Sequence, residues 1–284
     1  MDDLAARVAE RVPALAGAAL RPLEGGWTCD TYEAVAGGER WIVQAPRSPD
    51  AADRLRVQGA VLPELGPEVS TAVPSPAGPV GEPPLLIYPA IDGAPCTTTP
   101  GIWPERLGRF LYDLHAVPPE FVGLRAATAA SVRERTRRDL ATLVATVAPA
   151  FEPGERGALD GVVSALVDDD DRWAIAPCVT HGDLGPEHVL VTEAGDLAGV
   201  IDWEEVAIDD PAVDLAWWLH AMPEEGERAL GAYGGAPDRG FRGRARLRFV
   251  IMPWHEVAYG LEGGGEAFVA SGLEGSRERL SRYV

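Results

Sequence analysis

Residues 181–203 read HGDLGPEHVLVTEAGDLAGVIDW. Two apolar runs, 189–191 and 197–201, flank the turn-forming TEAGD, and this pattern predicts a β-hairpin. If Val191 faces Leu197, His188 faces Val200 and Asp202 faces Pro186. Paired strands lie roughly 5 Å apart. Asp183, His188 and Asp202 therefore converge at one end of the hairpin, even if the register slips by a residue or two. Two carboxylates and an imidazole in one place suggest a cation site. A lone histidine at a strand end reads as a surface residue; the converging aspartates and the turn at Gly182 favour a functional reading.

Working outward, residues 2–16 carry Leu4, Val8, Val12 and Leu15 on one helical face. Residues 32–35 and 41–43 are short strand-like runs joined by Gly37-Gly38, a hairpin signal. Residues 50–66 read as a helix whose end Pro63 disturbs, and 85–88 as a buried strand. Beyond Asp92-Gly93 the pattern turns helical. Leu107, Phe110, Leu111 and Leu114 share one face, and 131–148, 154–167, 211–221, 223–232 and 242–262 are further helices. The acidic run 168–171 reads as a solvated loop. The expectation is an α+β chain in two lobes. Residues 1–88 form a strand-rich N-lobe, 89–93 a hinge and 94–284 a mostly helical C-lobe, with the ligand cleft at the junction.

The chain has 284 residues and a net charge of −19. That charge argues against a nucleic-acid partner and permits a cationic small-molecule substrate. No apolar run is long enough for a membrane span. The acidic N-terminus does not read as a signal peptide. Three scattered cysteines (Cys29, Cys96, Cys178) imply neither a disulfide framework nor a metal cluster, which suggests a cytoplasmic setting. The chain contains no lysine and no asparagine. Both codon types begin with two adenines, so a GC-rich genome is a sufficient cause.

HGDLGPEH followed by GVIDWEE resembles the catalytic and metal-binding core of the aminoglycoside phosphotransferase family, which shares the protein-kinase-like fold. GGWTCDTY resembles its nucleotide loop (Gly25, Gly26), LLIYPAIDG its hinge, DLHAVP the end of its first large C-lobe helix, and IDDPAVDLAW the segment after its metal aspartate. The resemblance implies transfer of the γ-phosphate of ATP or GTP to a hydroxyl of a small molecule. Asp183 matches the catalytic base, and Asp202 the aspartate that holds Mg²⁺ against the phosphates. His181 matches a loop histidine with a structural role. The backbone around Tyr88, Ala90 and Ile91 would bind the purine. Asp210-Pro211 reads as a helix start, and Asp214 as a brace for the loop.

Three positions depart from the family pattern. His188 replaces the metal-binding asparagine; macrolide phosphotransferases of the family also carry histidine there. Imidazole suits Mn²⁺ better than Mg²⁺, so Mn²⁺ is an alternative. Gln44 stands where the third-strand lysine is expected, on the same strand face as Ile42, with Arg47 the nearest cation. Gln58 stands where the partner glutamate is expected. The double change replaces an ion pair with two amides able to hydrogen-bond, and a weaker grip on the nucleotide follows.

For the acceptor, Glu204, Glu205, Asp209, Glu256 and Glu262 are candidates to hold a cation, and Trp203, Trp217, Trp218 and Trp254 to wall an apolar face, although core packing is the stronger reading for at least two of these tryptophans. An antibiotic (aminoglycoside, macrolide or cationic peptide) is the leading substrate class, with the enzyme a monomer or homodimer. A metabolic kinase of the choline, homoserine or sugar type is the alternative, as is a nucleotide-binding pseudokinase. A binuclear metallohydrolase would need a Gly-Asn-His segment, which a chain without asparagine cannot supply.

Overall fold

The computed structural model describes residues 2–96, 100–235 and 237–283. Helix α1 (Asp2–Arg11) stops short of the expected 16, and Pro13–Leu15 continues as a single 3₁₀ turn. Pro13 has no N–H with which to continue the helical ladder. Strands β1 (Arg21–Leu23), β2 (Cys29–Ala36), β3 (Glu39–Pro46) and β4 (Leu86–Pro89) form one antiparallel sheet in that order. Gly37 and Gly38 join β2 to β3 with φ of 60° and 87°, the left-handed pair that a tight hairpin requires.

Helix α2 (Pro49–Leu65) opens with the Ser48 hydroxyl accepting from the Ala51 N–H at 3.1 Å, and with Pro49 in its first turn. It runs through Pro63 to Leu65, so the proline does not end it. Leu55, Leu62 and Leu65 are buried in the central core, each worth about 2 kcal/mol of apolar burial.

After β4 come β5 (Ala94–Pro95), α3 (Trp103–Ala116), α4 (Ala129–Val147) and α5 (Arg156–Val167). The strands β6 (Cys178–Thr180), β7 (Val189–Val191), β8 (Leu197–Val200) and β9 (Ala207–Asp209) follow. The chain closes with α6 (Ala212–Ala221), α7 (Pro223–Ala232), α8 (Phe241–Tyr259) and α9 (Glu266–Tyr283). The acidic run 168–171 is anchored rather than simply solvated. Arg137 pairs with Asp168 at 3.1 Å, Arg172 with Asp169 at 2.8 Å, and Arg133 with Asp170.

Two features fix the site in this frame. First, residues 94–96 are stitched to the β7 segment of the hairpin that follows Asp183 and His188. Ala94 and Pro95 pair with Val191 and Leu190, and the Cys96 N–H donates to the carbonyls of Pro186 (3.0 Å) and Val189 (2.8 Å). Second, the central core is continuous between the lobes. Leu55, Leu86 and Tyr88 share it with Leu107, Phe110, Val189 and Trp203. Separate clusters fill the outer N-lobe, around Val8, Val43 and Ile87, and the far C-lobe, around Leu159, Val250 and Trp254. No helix among the described residues is long and apolar enough to cross a membrane.

Candidate active site

Val191 faces Leu197, but a bulge between Leu190 and Val191 shifts the rest of the β7–β8 ladder by one. Val189 therefore pairs with Val200, and Ile201 N–H donates to the His188 carbonyl at 2.9 Å. His188 thus lies opposite Ile201 rather than Val200. The convergence survives this slip. His188 Nε2 lies 3.4 Å from Asp202 Oδ2, and its Nδ1 lies 3.9 Å from Asp183 Oδ2. Asp202 has φ of 66°, the only positive value at a described non-glycine residue. Such left-handed strain is tolerated by aspartate and concentrates at functional sites.

His188 Nδ1 is 2.7 Å from the Asp183 carbonyl oxygen. A carbonyl can only accept, so Nδ1 carries the proton and Nε2 presents a lone pair towards Asp202 when the ring is neutral. This tautomer and a facing carboxylate suit a metal ion. No group of three or more His, Cys, Asp or Glu among the described residues is arranged to hold a metal. The donor set therefore fits a cation shared with a phosphate-bearing ligand rather than one caged by protein alone.

Charge in the cleft follows this arrangement. Burial pushes Asp202 up to about 6; His188 opposes this, while Glu204, Asp183 and Glu187 add to it. Asp183 is also raised, chiefly by loss of hydration between the cleft walls, although 60% of its side chain still meets water. Burial works against charge on His188, and Asp202 and Asp183 together outweigh it, so its pKa is raised.

Beneath these residues lies a rigid support. His181 is fully buried, and burial pushes its pKa down to about 4. As neutral imidazole its Nε2–H donates to the Ile201 carbonyl at 2.9 Å, and its Nδ1 accepts from the Asp183 N–H at 3.3 Å. It packs edge-on against buried Trp203 with centroids 4.7 Å apart. Asp214, at the start of α6, accepts from the backbone N–H groups of His181 (3.1 Å) and Gly182 (2.9 Å). Burial alone would raise the Asp214 pKa; hydrogen bonds from His115 and Gly182, with the nearby imidazoles, hold it below the usual carboxylate range. His115 Nε2 lies 3.0 Å from Asp214, and its Nδ1 lies 2.7 Å from the Tyr233 hydroxyl. Gly182 has φ of 90°, and a Cβ there would come within 2.6 Å of the Glu205 carbonyl. His115 and Tyr233 are 99 and 19 residues from Asp214, so spacing alone could not reveal their support role.

On the nucleotide side, Ile42 and Gln44 share a face of β3, opposite Tyr88 and Leu86 of β4. Tyr88 is buried and Ile91 rests on β8 at Gly199. The Ala90 N–H is already used, donating to the Arg40 carbonyl at 2.8 Å. Arg47 is engaged as well. It pairs with Asp30 at 2.8 Å and donates to the carbonyls of Gly26 (2.6 Å) and Trp27 (3.2 Å), so it fastens the glycine loop instead of projecting freely. Gln44 and Gln58 are both buried, but the expected amide-to-amide bond is not made. Gln44 Oε1 and both amide atoms of Gln58 have no hydrogen-bond partner. Each such atom costs about 1–3 kcal/mol when left unmet.

Among the acceptor candidates, Glu204 accepts a hydrogen bond from the Thr28 hydroxyl and Glu205 pairs with Arg54. Both acids thus meet the N-lobe across the cleft. Glu256 is half-buried and has no ion pair among the described residues. Asp209 is removed from the set. Arg135 (2.8 Å) and Arg248 (3.1 Å) already neutralise it. Trp254 is removed too: it is fully buried in the far C-lobe core, as Trp203 and Trp218 are in the central one. A large aromatic ring gains more from core burial than from a wet cleft wall.

The chain as a whole has known counterparts. A family profile described as "Phosphotransferase enzyme family" matches residues 19–250. The chain belongs to this family. It is 31% identical to viomycin phosphotransferase of Streptomyces vinaceus, with 87% of this chain and 90% of that one covered. Macrolide 2′-phosphotransferase from Brachybacterium faecium superimposes with a TM-score of 0.72 at 28% identity, covering 97% of this chain and 98% of that chain. The GDP complex of aminoglycoside 2′-phosphotransferase-IIIa superimposes with a TM-score of 0.82 at 20% identity, covering 99% of each chain, a likeness of fold. In this phosphotransferase Gln44, Gln58 and His188 occupy the three positions where lysine, glutamate and asparagine are expected from the sequence.

Proposed function

We propose that this phosphotransferase moves the γ-phosphate of ATP or GTP to a hydroxyl of a cationic antibiotic. The convergence of Asp183, His188 and Asp202 carries the reading. The likeness to viomycin phosphotransferase favours a cationic peptide antibiotic as acceptor, ahead of an aminoglycoside or a macrolide. Residues 1–88 hold the nucleotide, 89–93 act as hinge, and 94–284 carry the catalytic loop and the acceptor. With the Ala90 N–H occupied, the base is left the outward Pro89 carbonyl and the Ile91 N–H.

Asp183 accepts the proton of the acceptor hydroxyl as that oxygen bonds to phosphorus and the bond to the nucleoside diphosphate breaks. Its carbonyl fixes the His188 ring, so base and metal ligand are oriented together. Asp202 and His188 would hold Mg²⁺ or Mn²⁺, which when bound neutralises phosphate charge. The glycine loop, fastened by Arg47, covers the phosphates.

The test is a phosphorylation screen against viomycin, kanamycin, gentamicin and a macrolide, with ATP and GTP, read by mass spectrometry. One phosphate gained by a cationic compound supports the reading. In the same screen Asp183→Asn should lose about 10²–10⁴-fold in kcat. An active Asp183→Asn overturns the mechanism. The unpaired Gln44 and Gln58 favour a second reading, a nucleotide-binding pseudokinase. It would bind nucleotide in a thermal-shift titration yet phosphorylate nothing in the screen.

A further inference from the structure

Trp27 follows the two glycines of the nucleotide loop, and it is 42% exposed. It is not loose. Its ring stacks face to face on Tyr259, with centroids 4.4 Å apart and planes within 7°. It also meets the edge of Phe268 at 5.8 Å, and Tyr259 and Phe268 touch edge-on at 5.0 Å. Tyr259 ends α8 and Phe268 lies in the first turn of α9, so three rings from opposite lobes form one clasp between the loop and the C-terminal helices.

Both sides of this clasp are held in place. Arg47 fixes the carbonyls of Gly26 and Trp27, and the Thr28 hydroxyl reaches Glu204 beside Asp202. On the other side the chain kinks between α8 and α9 at Gly263 (φ 118°) and Gly265 (φ 109°). A Cβ at Gly264 would strike the Tyr259 ring. The glycines of GLEGGGEAF thus permit the turn and leave room for the ring. Two carboxylates lie on these same elements: Glu256 sits one turn before the clasp on α8, and Glu262 within the kink.

We propose that Trp27 is a specificity-determining residue for the acceptor, although it sits in the nucleotide loop. The clasp gives a cationic acceptor a flat aromatic wall, with Glu256 and Glu262 three residues to either side of Tyr259 in the chain. Aromatic faces attract cations, and ring-to-ring stacking of this kind is exchangeable because each contact is worth only about 0.5–1.5 kcal/mol. The exposed Arg54–Glu205 pair is similarly weak, so an acceptor cation can replace Arg54 on Glu205 at little cost. This inference rests on the reading of the acceptor as cationic.

The experiment is steady-state kinetics of the wild type, Trp27→Phe and Trp27→Ala with viomycin as the probe acceptor. Trp27→Ala should raise the viomycin KM about tenfold, roughly 1.4 kcal/mol, and the nucleotide KM by a clearly smaller factor. Trp27→Phe, which keeps a ring, should stay within about threefold of wild type for both. The wild-type minus Trp27→Phe fluorescence difference should also change as viomycin saturates the enzyme. An unchanged viomycin KM in Trp27→Ala overturns the inference, as does an equal rise in both KM values, which would mark a role in shaping the loop alone. If wild type phosphorylates no cationic compound, the functional reading fails, and the acceptor role of Trp27 fails with it.

Discussion

At the scale of single residues, three positions of the proposed site, Gln44, Gln58 and His188, carry testable chemistry. Gln44 and Gln58 leave three buried polar atoms without partners, in the place where an ion pair is expected. Restoring charge there should strengthen phosphate binding, because hydrogen bonds to charged groups are worth about 1.5–3 kcal/mol. Gln44→Lys combined with Gln58→Glu is expected to lower the nucleotide KM about tenfold, measured by initial rates at saturating acceptor. An unchanged KM would place these glutamines outside phosphate recognition. His188 gives a second expectation. His188→Asn substitutes a hard oxygen donor, so the ratio of Mn²⁺- to Mg²⁺-supported turnover should fall, whereas His188→Ala should lose about tenfold or more with both metals. Equal metal ratios in wild type and His188→Asn would remove the imidazole from the metal site.

At the scale of elements, the loop between β6 and β7 is held by a histidine that must stay neutral. The His181 pKa is depressed from its ordinary value to about 4, so the unfolded chain takes up a proton more readily than the folded one below about pH 6.5. Stability is therefore complete above that pH and is lost as pH falls towards 4, by about 3 kcal/mol at most. Denaturation measured across this window should show the loss, and His181→Gln, which keeps a polar group but does not titrate, should flatten it. An identical pH slope in the variant would assign the effect elsewhere.

The same scale shows what could be read in the chain beforehand. Helices α4 and α5 stand close to their expected bounds, and the Gly37-Gly38 hairpin stands where it is expected, although its strands are about twice as long as the apolar runs that announce them. The Asp183–His188–Asp202 meeting point follows from the β7–β8 hairpin alone, because a one-residue bulge moves partners without separating the strand ends. Helix α9 is missed: three consecutive glycines look like the end of regular structure, and its apolar residues are sparse. The clasp is missed because Trp27 and Tyr259 are joined only by the fold. Asp209 and Trp254 have the right chemistry for a ligand, but their partners, Arg135 and Arg248 for one and the far core for the other, become apparent only in three dimensions.

At the scale of the whole molecule, the net charge of −19 gives opposite expectations for the nucleotide and for the cationic acceptor proposed above. A cationic acceptor is drawn to such a surface and an anionic nucleotide is repelled, and salt screens both effects over roughly 8–10 Å. Raising sodium chloride should increase the viomycin KM and should not increase the nucleotide KM. Initial rates across a salt series would check this. A viomycin KM indifferent to salt would reduce the acidity to a matter of solubility.

The bonds from Cys96 to Pro186 and Val189 matter for movement as well as for position. They tie the segment that follows β4 and the proposed hinge to the loop carrying Asp183 and His188. Any displacement of the N-lobe about this point would carry the glycine loop, Gln44 and Trp27, and would leave Asp183, His188 and Asp202 in registration with one another. Opening the cleft in this way would separate its two sides without dismantling their meeting point.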